Sequence, residues 1–515
     1  MAITDTRPES GTDLAVAPSM VPAPVAFLGS GDHTTVGLVY IMVSVLFGLA
    51  SWIAISLAHI HSVSASFLSD GTAAILATTG RTGVVLLGLV PLLVGLGIYV
   101  VPLQVGARTV AFPRAAALSV WTWLLTSGVF IVAAAIRISN PSDKAASLEV
   151  LAIIGVIVSL LLGTICILTT IIALRTPDMT IDRVPMTSFA FLIGGTIWML
   201  TLPVALGVAL IAWVDFRYGT ATLSGADLVA GKLTHVLAQP QIYAFVVPGL
   251  GIIADVVATF TGRRLAPRGV LLTGIAAFGI LGVGMWDLTA LYPEAAEQLP
   301  WQVMGVLQIL PVLLVLAGVG AALKAGRPKA RGALGIAMVS LVLLLVGVLA
   351  GALIVLTPLQ LRATTQFSAG QAILVLAAGL GAALAGLAYW GPKMTGRMGI
   401  DGIAKLGALV VLGGGVLGGV PLLVVGFSTK FTGLADATDT LVWISVLGTV
   451  LLALALLLGL AGLLSGARPG GEAAGADPWG SGQTLEWAYS SPPAPGGPGD
   501  LAVVRSAEPL LDQEA

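Results

Sequence analysis

The chain has little of what soluble catalysis uses. Charged residues make up 10% of its 515 positions, histidine occurs four times, and Cys166 is the only cysteine. One cysteine excludes a disulfide within the chain. Its apolar neighbours make it a small packed residue rather than a ligand. A formal net charge of −1 leaves no electrostatic footprint for nucleic acid. The polar leader lacks the basic n-region and cleavage site of a signal peptide, so the first apolar stretch is read as a retained helix.

What the chain has in excess is apolar sequence, 57% of all residues. That content excludes an ordinary soluble enzyme. A membrane-spanning helix needs about 20 apolar residues, and about twelve such stretches occur, at 36–58, 82–101, 115–136, 150–174, 187–213, 236–254, 269–286, 301–323, 333–361, 368–390, 406–427 and 440–465. The expected fold is therefore an all-α polytopic membrane protein of about twelve transmembrane helices, in contact with membrane lipid. Residues 1–31 read as a disordered leader, 32–465 as the membrane domain, and 466–515 as a flexible, Gly/Pro/Ala-rich tail. With both termini on the cytoplasmic side, about seventeen of the 24 basic residues fall inside.

Polar residues inside these stretches mark candidate sites, because lipid cannot satisfy their hydrogen bonds. Residues 239–264 read QPQIYAFVVPGLGIIADVVATFTGRR, with Gln239, Gln241 and Tyr243 in the first turn. His235 lies one turn before Gln239, so the two side chains share a helical face and form a hydrogen-bonded pair more readily than half of a metal site. Arg81 stands at the edge of the second span, where snorkelling to the interface accounts for it. His33 reads as an interfacial residue. His59 and His61, two apart, read as a wet loop rather than a surface metal clip.

Several stretches resemble subunit I of the haem–copper oxidases, in particular bacterial cytochrome c oxidase. The 239–264 run resembles that family's sixth helix, where His-Pro-Glu-Val-Tyr precedes Pro-Gly-Phe-Gly-Ile-Ile. Asp32-His33 resembles the family's opening, 102–114 its second-to-third loop, and 169–185 its fourth-to-fifth loop. Tyr389-Trp390-Gly391-Pro392-Lys393 resembles its tenth helix. In the tail, Asp477-Pro478-Trp479-Gly480, Thr484-Leu485-Glu486-Trp487 and Ser490-Ser491-Pro492-Pro493 resemble the family's cytoplasmic segment and imply docking on that face of the same protein or a neighbouring subunit.

The resemblance implies a bundle of oxidase subunit I type, and its metal chemistry implies six histidine ligands. Aligned on these motifs, the ligand positions hold Gly80, Gln239, Leu288, Thr289, Gly370 and Ala372. Four of these offer no donor at all, Thr289 offers only a hydroxyl, and the Gln239 amide is a poor substitute for imidazole. The family's gating glutamate is Gln241 and its channel aspartate is Thr109. Its path lysine falls near Gly320, and its propionate arginines at Leu422 and Leu423. Arg362-Ala363-Thr364 stands where the family has His-Asp-Thr. The residual polar cluster is Gln239, Gln241, Tyr243, His235 and Arg81.

The expected function is that of a redox-inactive subunit I-like protein of the bacterial cytoplasmic membrane. It would bind neither haem nor copper, have no catalytic residues, and serve structural, assembly or regulatory work beside respiratory oxidase subunits. Its interior is expected to be collapsed or lipid-filled rather than open around a haem-sized void. Two other readings stand beside it. One is a working terminal oxidase or nitric-oxide-reductase-like subunit with unusual ligands. The other is a transporter or channel reusing the former proton cavities.

Overall fold

The computed structural model describes residues 29–64, 67–220, 222, 243–265, 267–284, 299–356, 359, 361, 365–428, 438–494 and 504–512. Among them are twelve apolar helices in chain order: α1 (His33–Val63), α2 (Asp70–Val105), α3 (Pro113–Ser139), α4 (Asp143–Ala173), α5 (Met186–Tyr218), α6 (Val246–Thr261), α7 (Arg268–Gly284), α8 (Leu299–Ala325), α9 (Gly332–Val355), α10 (Thr365–Thr395), α11 (Asp401–Ser428) and α12 (Thr438–Gly466). Ten are long and apolar enough to cross a membrane, and α6 and α7 are shorter apolar helices. No strand occurs among the described residues. The all-helical membrane fold is as expected from the sequence.

Local chemistry sets the helix ends. The Asp32 carboxylate accepts from Thr35 N at 3.1 Å, and Ser69 and Ser142 cap α2 and α4 in the same way. α2 starts well before the apolar stretch at 82–101. Its first turns carry Thr78, Thr79 and Arg81, and hydropathy alone ends the helix there. The Ser69 cap starts those turns, and the Thr78 hydroxyl is satisfied within the helix by donating to Ala74 O at 3.0 Å. A π-helical turn at Val84–Leu89 follows and shifts the phase of the face that α2 presents.

Burial separates centre from periphery. The apolar core of α2 is entirely inside the protein and that of α10 is 89% inside, whereas α3, α5 and α8 each bury 39% and turn the rest outward. Leu118, Leu125, Leu200 and Leu310 are among the apolar side chains so exposed. In lipid this exposure carries no hydrophobic cost, and close backbone approach holds the helices together instead. α1 and α2 meet in this way: a Cβ on Gly37 would stand 2.8 Å from Gly95 O.

The tail differs from the flexible segment read in the sequence. Residues 467–494 fold back over the helix ends, with Leu485, Trp487 and Tyr489 buried. Glycine and proline content suggested looseness. The aromatic and amide side chains between them find partners on α6 and α10, and that contact fixes the segment. Residues 504–512 also lie against this end, where Arg268 pairs with Glu508 at 3.6 Å. Of the leader 1–31, only residues 29–31 are described.

Candidate functional site

Two places in the bundle gather the polar and small residues on which function turns. The first contains the expected vacated positions. Gly80 is buried on α2 against α1, and a Cβ there would stand 2.8 Å from Ile55 Cγ1 and 3.1 Å from Ser51 O. Gly370 is buried on α10 against α11, where a Cβ would stand 2.6 Å from Gly419 O and 2.9 Å from Leu423 N. Side-chain motion can relieve the first crowding, whereas the second is against backbone and requires the helices to separate. Ala372 is half-buried and packs on the same core. About two turns beyond Ala372 along α10, the ring of Phe245 fills the space a side chain at Gly379 would take. An imidazole at Gly80 or Gly370 thus meets a neighbouring helix at its first atom, and the residues present do not fit an axially ligated haem.

Between the two α10 positions sits Gln371, which the sequence reading did not single out. It is 4% exposed, and its Nε2 donates to Tyr243 Oη at 2.6 Å, joining α10 to the turn that opens α6. Tyr243 also faces Phe278 of α7, with ring centroids 6.3 Å apart. Nearby, α8 is interrupted at Gln308, which is fully buried. Its Nε2 donates to Phe278 O at 3.1 Å, and its Oε1 has no hydrogen-bond partner among the described residues. Uncharged amides and a phenol thus span this part of the interior.

Of the expected polar cluster, the structure describes Tyr243 and Arg81 and does not bring them together. Tyr243 is buried and bonded to Gln371, and Arg81 is exposed on α2. His235, Gln239, Gln241, Leu288 and Thr289 lie outside the described residues, as do Arg362, Ala363 and Thr364. Thr109 is half-buried in the α2–α3 loop, Gly320 is exposed on α8, and Leu422 is buried in α11 with Leu423 beside it, half-buried. His33 is buried at the start of α1, 3.7 Å from Asp32, and His61 meets Asp70 at 3.0 Å. No group of three or more His, Cys, Asp or Glu suited to a metal occurs among the described residues. Cys166 is buried, with its sulfur 3.9 Å from Phe112 O.

The second place lies at the tail-bearing end and gathers several buried charged and polar side chains. Gln104 of α2 donates from Nε2 to Asp255 Oδ2 of α6 at 3.1 Å and to Glu486 Oε1 of the tail at 3.0 Å. Its Oε1 accepts from the Ser188 hydroxyl at 2.7 Å. Asp255 also accepts from Met186 N at 3.2 Å and Thr187 N at 3.0 Å, so it caps the N-terminus of α5, where the helix dipole favours a negative charge. Lys393 of α10 donates to Ala476 O at 2.8 Å and Tyr489 O at 2.7 Å, and sits 5.2 Å from the centre of the Trp487 ring. Tyr389 accepts from Trp487 Nε1 at 2.9 Å and shares a 2.6 Å bond with Thr259. Gln483 donates to Ala258 O at 2.9 Å and Arg263 O at 3.1 Å, satisfying carbonyls at the end of α6. Two signals for this network were legible in the sequence: Asp255, a carboxylate within an apolar helix, and Glu486, an acid between aromatic and aliphatic residues.

The comparisons agree with this architecture. The profile of the family described as Cytochrome C and Quinol oxidase polypeptide I matches residues 35–451, most of the chain. The chain is 29% identical over 496 residues to the "Heme-copper oxidase subunit I+III" of Aeropyrum pernix, covering 90% of this chain and 60% of that protein. It therefore spans less than two thirds of that relative's length. It is 27% identical to "Cytochrome c oxidase subunit 1" of Bacillus subtilis, over 94% of this chain and 82% of the relative. It is 26% identical to the protein of the same name from Thermostichus vulcanus, over 90% and 88%. The extent of the profile match and these relatives lead to one conclusion: the chain belongs to the family of cytochrome c and quinol oxidase polypeptide I, within the haem–copper oxidase superfamily.

Proposed function

We infer that this chain is a redox-inactive member of its family. It binds neither haem nor copper and serves a structural, assembly or regulatory role beside respiratory oxidase subunits. The observation that carries this reading is the Gly370-Gln371-Ala372 turn of α10. The resemblance expects haem-ligating imidazoles on both sides of Gln371. Instead, Gly370 packs at backbone distance on α11, and Gln371 is engaged with Tyr243. Neither Gly370 nor Ala372 presents a donor, and the Gln371 amide nitrogen is a hydrogen-bond donor with no lone pair to offer iron.

The role then rests on shape and surface. A twelve-helix body of oxidase subunit I type, multi-pass in a bacterial cytoplasmic membrane with both termini inside, offers oxidase partners a familiar outer face without the chemistry. The relatives named as oxidase subunits support that choice of partner class. The test is a reduced-minus-oxidised visible spectrum of the purified protein, with haem extraction from the same sample. A haem-free spectrum is expected, and stoichiometric haem overturns the reading. Purification in mild detergent tests the partner class separately: oxidase subunits are expected to co-purify, and their absence removes this part of the proposal.

A further inference from the structure

The tail-bearing network contains two buried carboxylates held by a single amide nitrogen. Gln104 Nε2 has two hydrogens, and it donates one to Asp255 at 3.1 Å and one to Glu486 at 3.0 Å. The accepting oxygens are thus about 5 Å apart, the spread set by one NH2 group. Glu486 is 0% exposed and Asp255 4%. Two carboxylates this close and this dry do not both ionise readily, because each raises the cost of charging the other.

The geometry also says which one carries the charge. Asp255 accepts from two backbone N–H groups at the start of α5 in addition to Gln104, and these donors favour the ionised form. Glu486 receives Gln104 and a longer contact from Trp390 Nε1 at 3.4 Å, both on Oε1. Its Oε2 has no partner in hydrogen-bond geometry among the described residues, and the Thr484 hydroxyl and the Glu486 backbone N–H near the carboxyl favour its charged form less than burial opposes it. An orphaned, fully buried carboxylate oxygen is costly when charged and much less so when protonated.

We propose that Glu486 docks as the neutral acid and acts as a pH-sensitive latch, holding the tail segment 484–490 on α2, α6 and α10 and loosening it when the acid ionises. Lys393, on α10, and Asp255, on α6, face Glu486 from the helices and form the charged surroundings of the site. Tyr389 and Tyr489 are the phenols nearby, Asp477 faces Lys393, and Arg268 faces Asp255. With Asp255 negative and Lys393 positive, a neutral Glu486 leaves the inner cluster without net charge. Burial pushes the Glu486 carboxyl up to about 7 from an ordinary 4.5, and the Asp255 charge adds to this. An acid whose value is raised when docked favours docking most at low pH. The advantage is lost as pH rises from about 4.5 to about 7, and above that it changes no further.

The test is hydrogen–deuterium exchange of the full chain in lipid nanodiscs. Rates for the peptide covering 484–490 are divided by those of an unstructured peptide at the same pH, which removes the intrinsic pH dependence. Protection is expected to fall roughly a hundredfold between about pH 5 and about pH 7.5, with peptides of α2 unchanged. Glu486→Gln, which cannot ionise, is expected to hold the acid-level protection throughout. Protection in the unmodified protein that is independent of pH overturns the proposal. So does a Glu486→Gln tail that is loose at low pH, since the charge would then be what holds the segment. Infrared spectroscopy of 13C-glutamate-labelled protein reads the acid without the Gln variant. A glutamic acid carbonyl band titrating near 7, and surviving Glu508→Gln, supports the latch; titration of every glutamate near its ordinary value overturns it.

Discussion

The two buried sites of this protein treat polarity in opposite ways. Gly80, Gly370 and Ala372 carry no charge themselves, and beside the two α10 positions the described buried polar contacts include amides on a phenol and on a backbone carbonyl, Gln371 to Tyr243 and Gln308 to Phe278 O. At the tail-bearing end, Asp255, Glu486 and Lys393 lie buried together, joined by Gln104, Tyr389 and Trp487. A low-dielectric interior admits both arrangements, on different terms. Charges are kept where backbone and side-chain donors surround them. Where donors are missing, small residues let the helices close on one another.

Substitutions in each site test that contrast. The largest effect is expected for Asp255→Ala, which strands two N–H groups of α5 and one hydrogen of Gln104. The loss should be about 3–5 kcal/mol, read as reduced thermal stability in detergent. A near-neutral result would show that the network is incidental. Gly370→Ala places a methyl 2.6 Å from Gly419 O and is expected to cost about 1–3 kcal/mol. If it is tolerated, or if Gly370→His yields a protein that takes up haem, the site is not closed and the contrast fails.

Tyr243→Phe keeps the ring and removes the oxygen that accepts from Gln371. It should cost about 1 kcal/mol, measured by the same thermal scan. A larger loss would mark Tyr243 as a structural centre comparable with Asp255. Arg264→Ala should change stability least, by about 0–1 kcal/mol. Its partner Asp512 lies on the outside of the same end, and the Arg264 side chain is 49% exposed. A strong effect there would extend the tightly coupled region to residues 504–512.

Much of this protein was determined by its sequence alone. Apolar stretches about 20 residues long define helices because backbone polar groups in lipid must be satisfied within the segment. The motifs at 102–114, 169–185 and 389–393 placed those helices in a known order. Glycine or alanine at three of the expected ligand positions, and leucine at a fourth, are facts of composition that no folding changes. The sequence was misleading where local polarity opposed long-range contact. The threonines before Arg81 concealed the first turns of α2, and the glycines and prolines after 466 concealed a packed tail.

Tertiary structure alone decided which polar residues meet. Gln104 and Glu486 are 382 positions apart, Tyr243 and Gln371 are 128 apart, and neither pair leaves a periodic trace. Whether Gly370 leaves room or fills it depends on how α11 crosses α10. That crossing is set by the fit of two helix surfaces, and a single sequence does not carry it. Side-chain chemistry within a helix is local and can be read in order along the chain. The partners that neutralise or orphan a buried group arrive from distant segments, and only the folded chain brings them together.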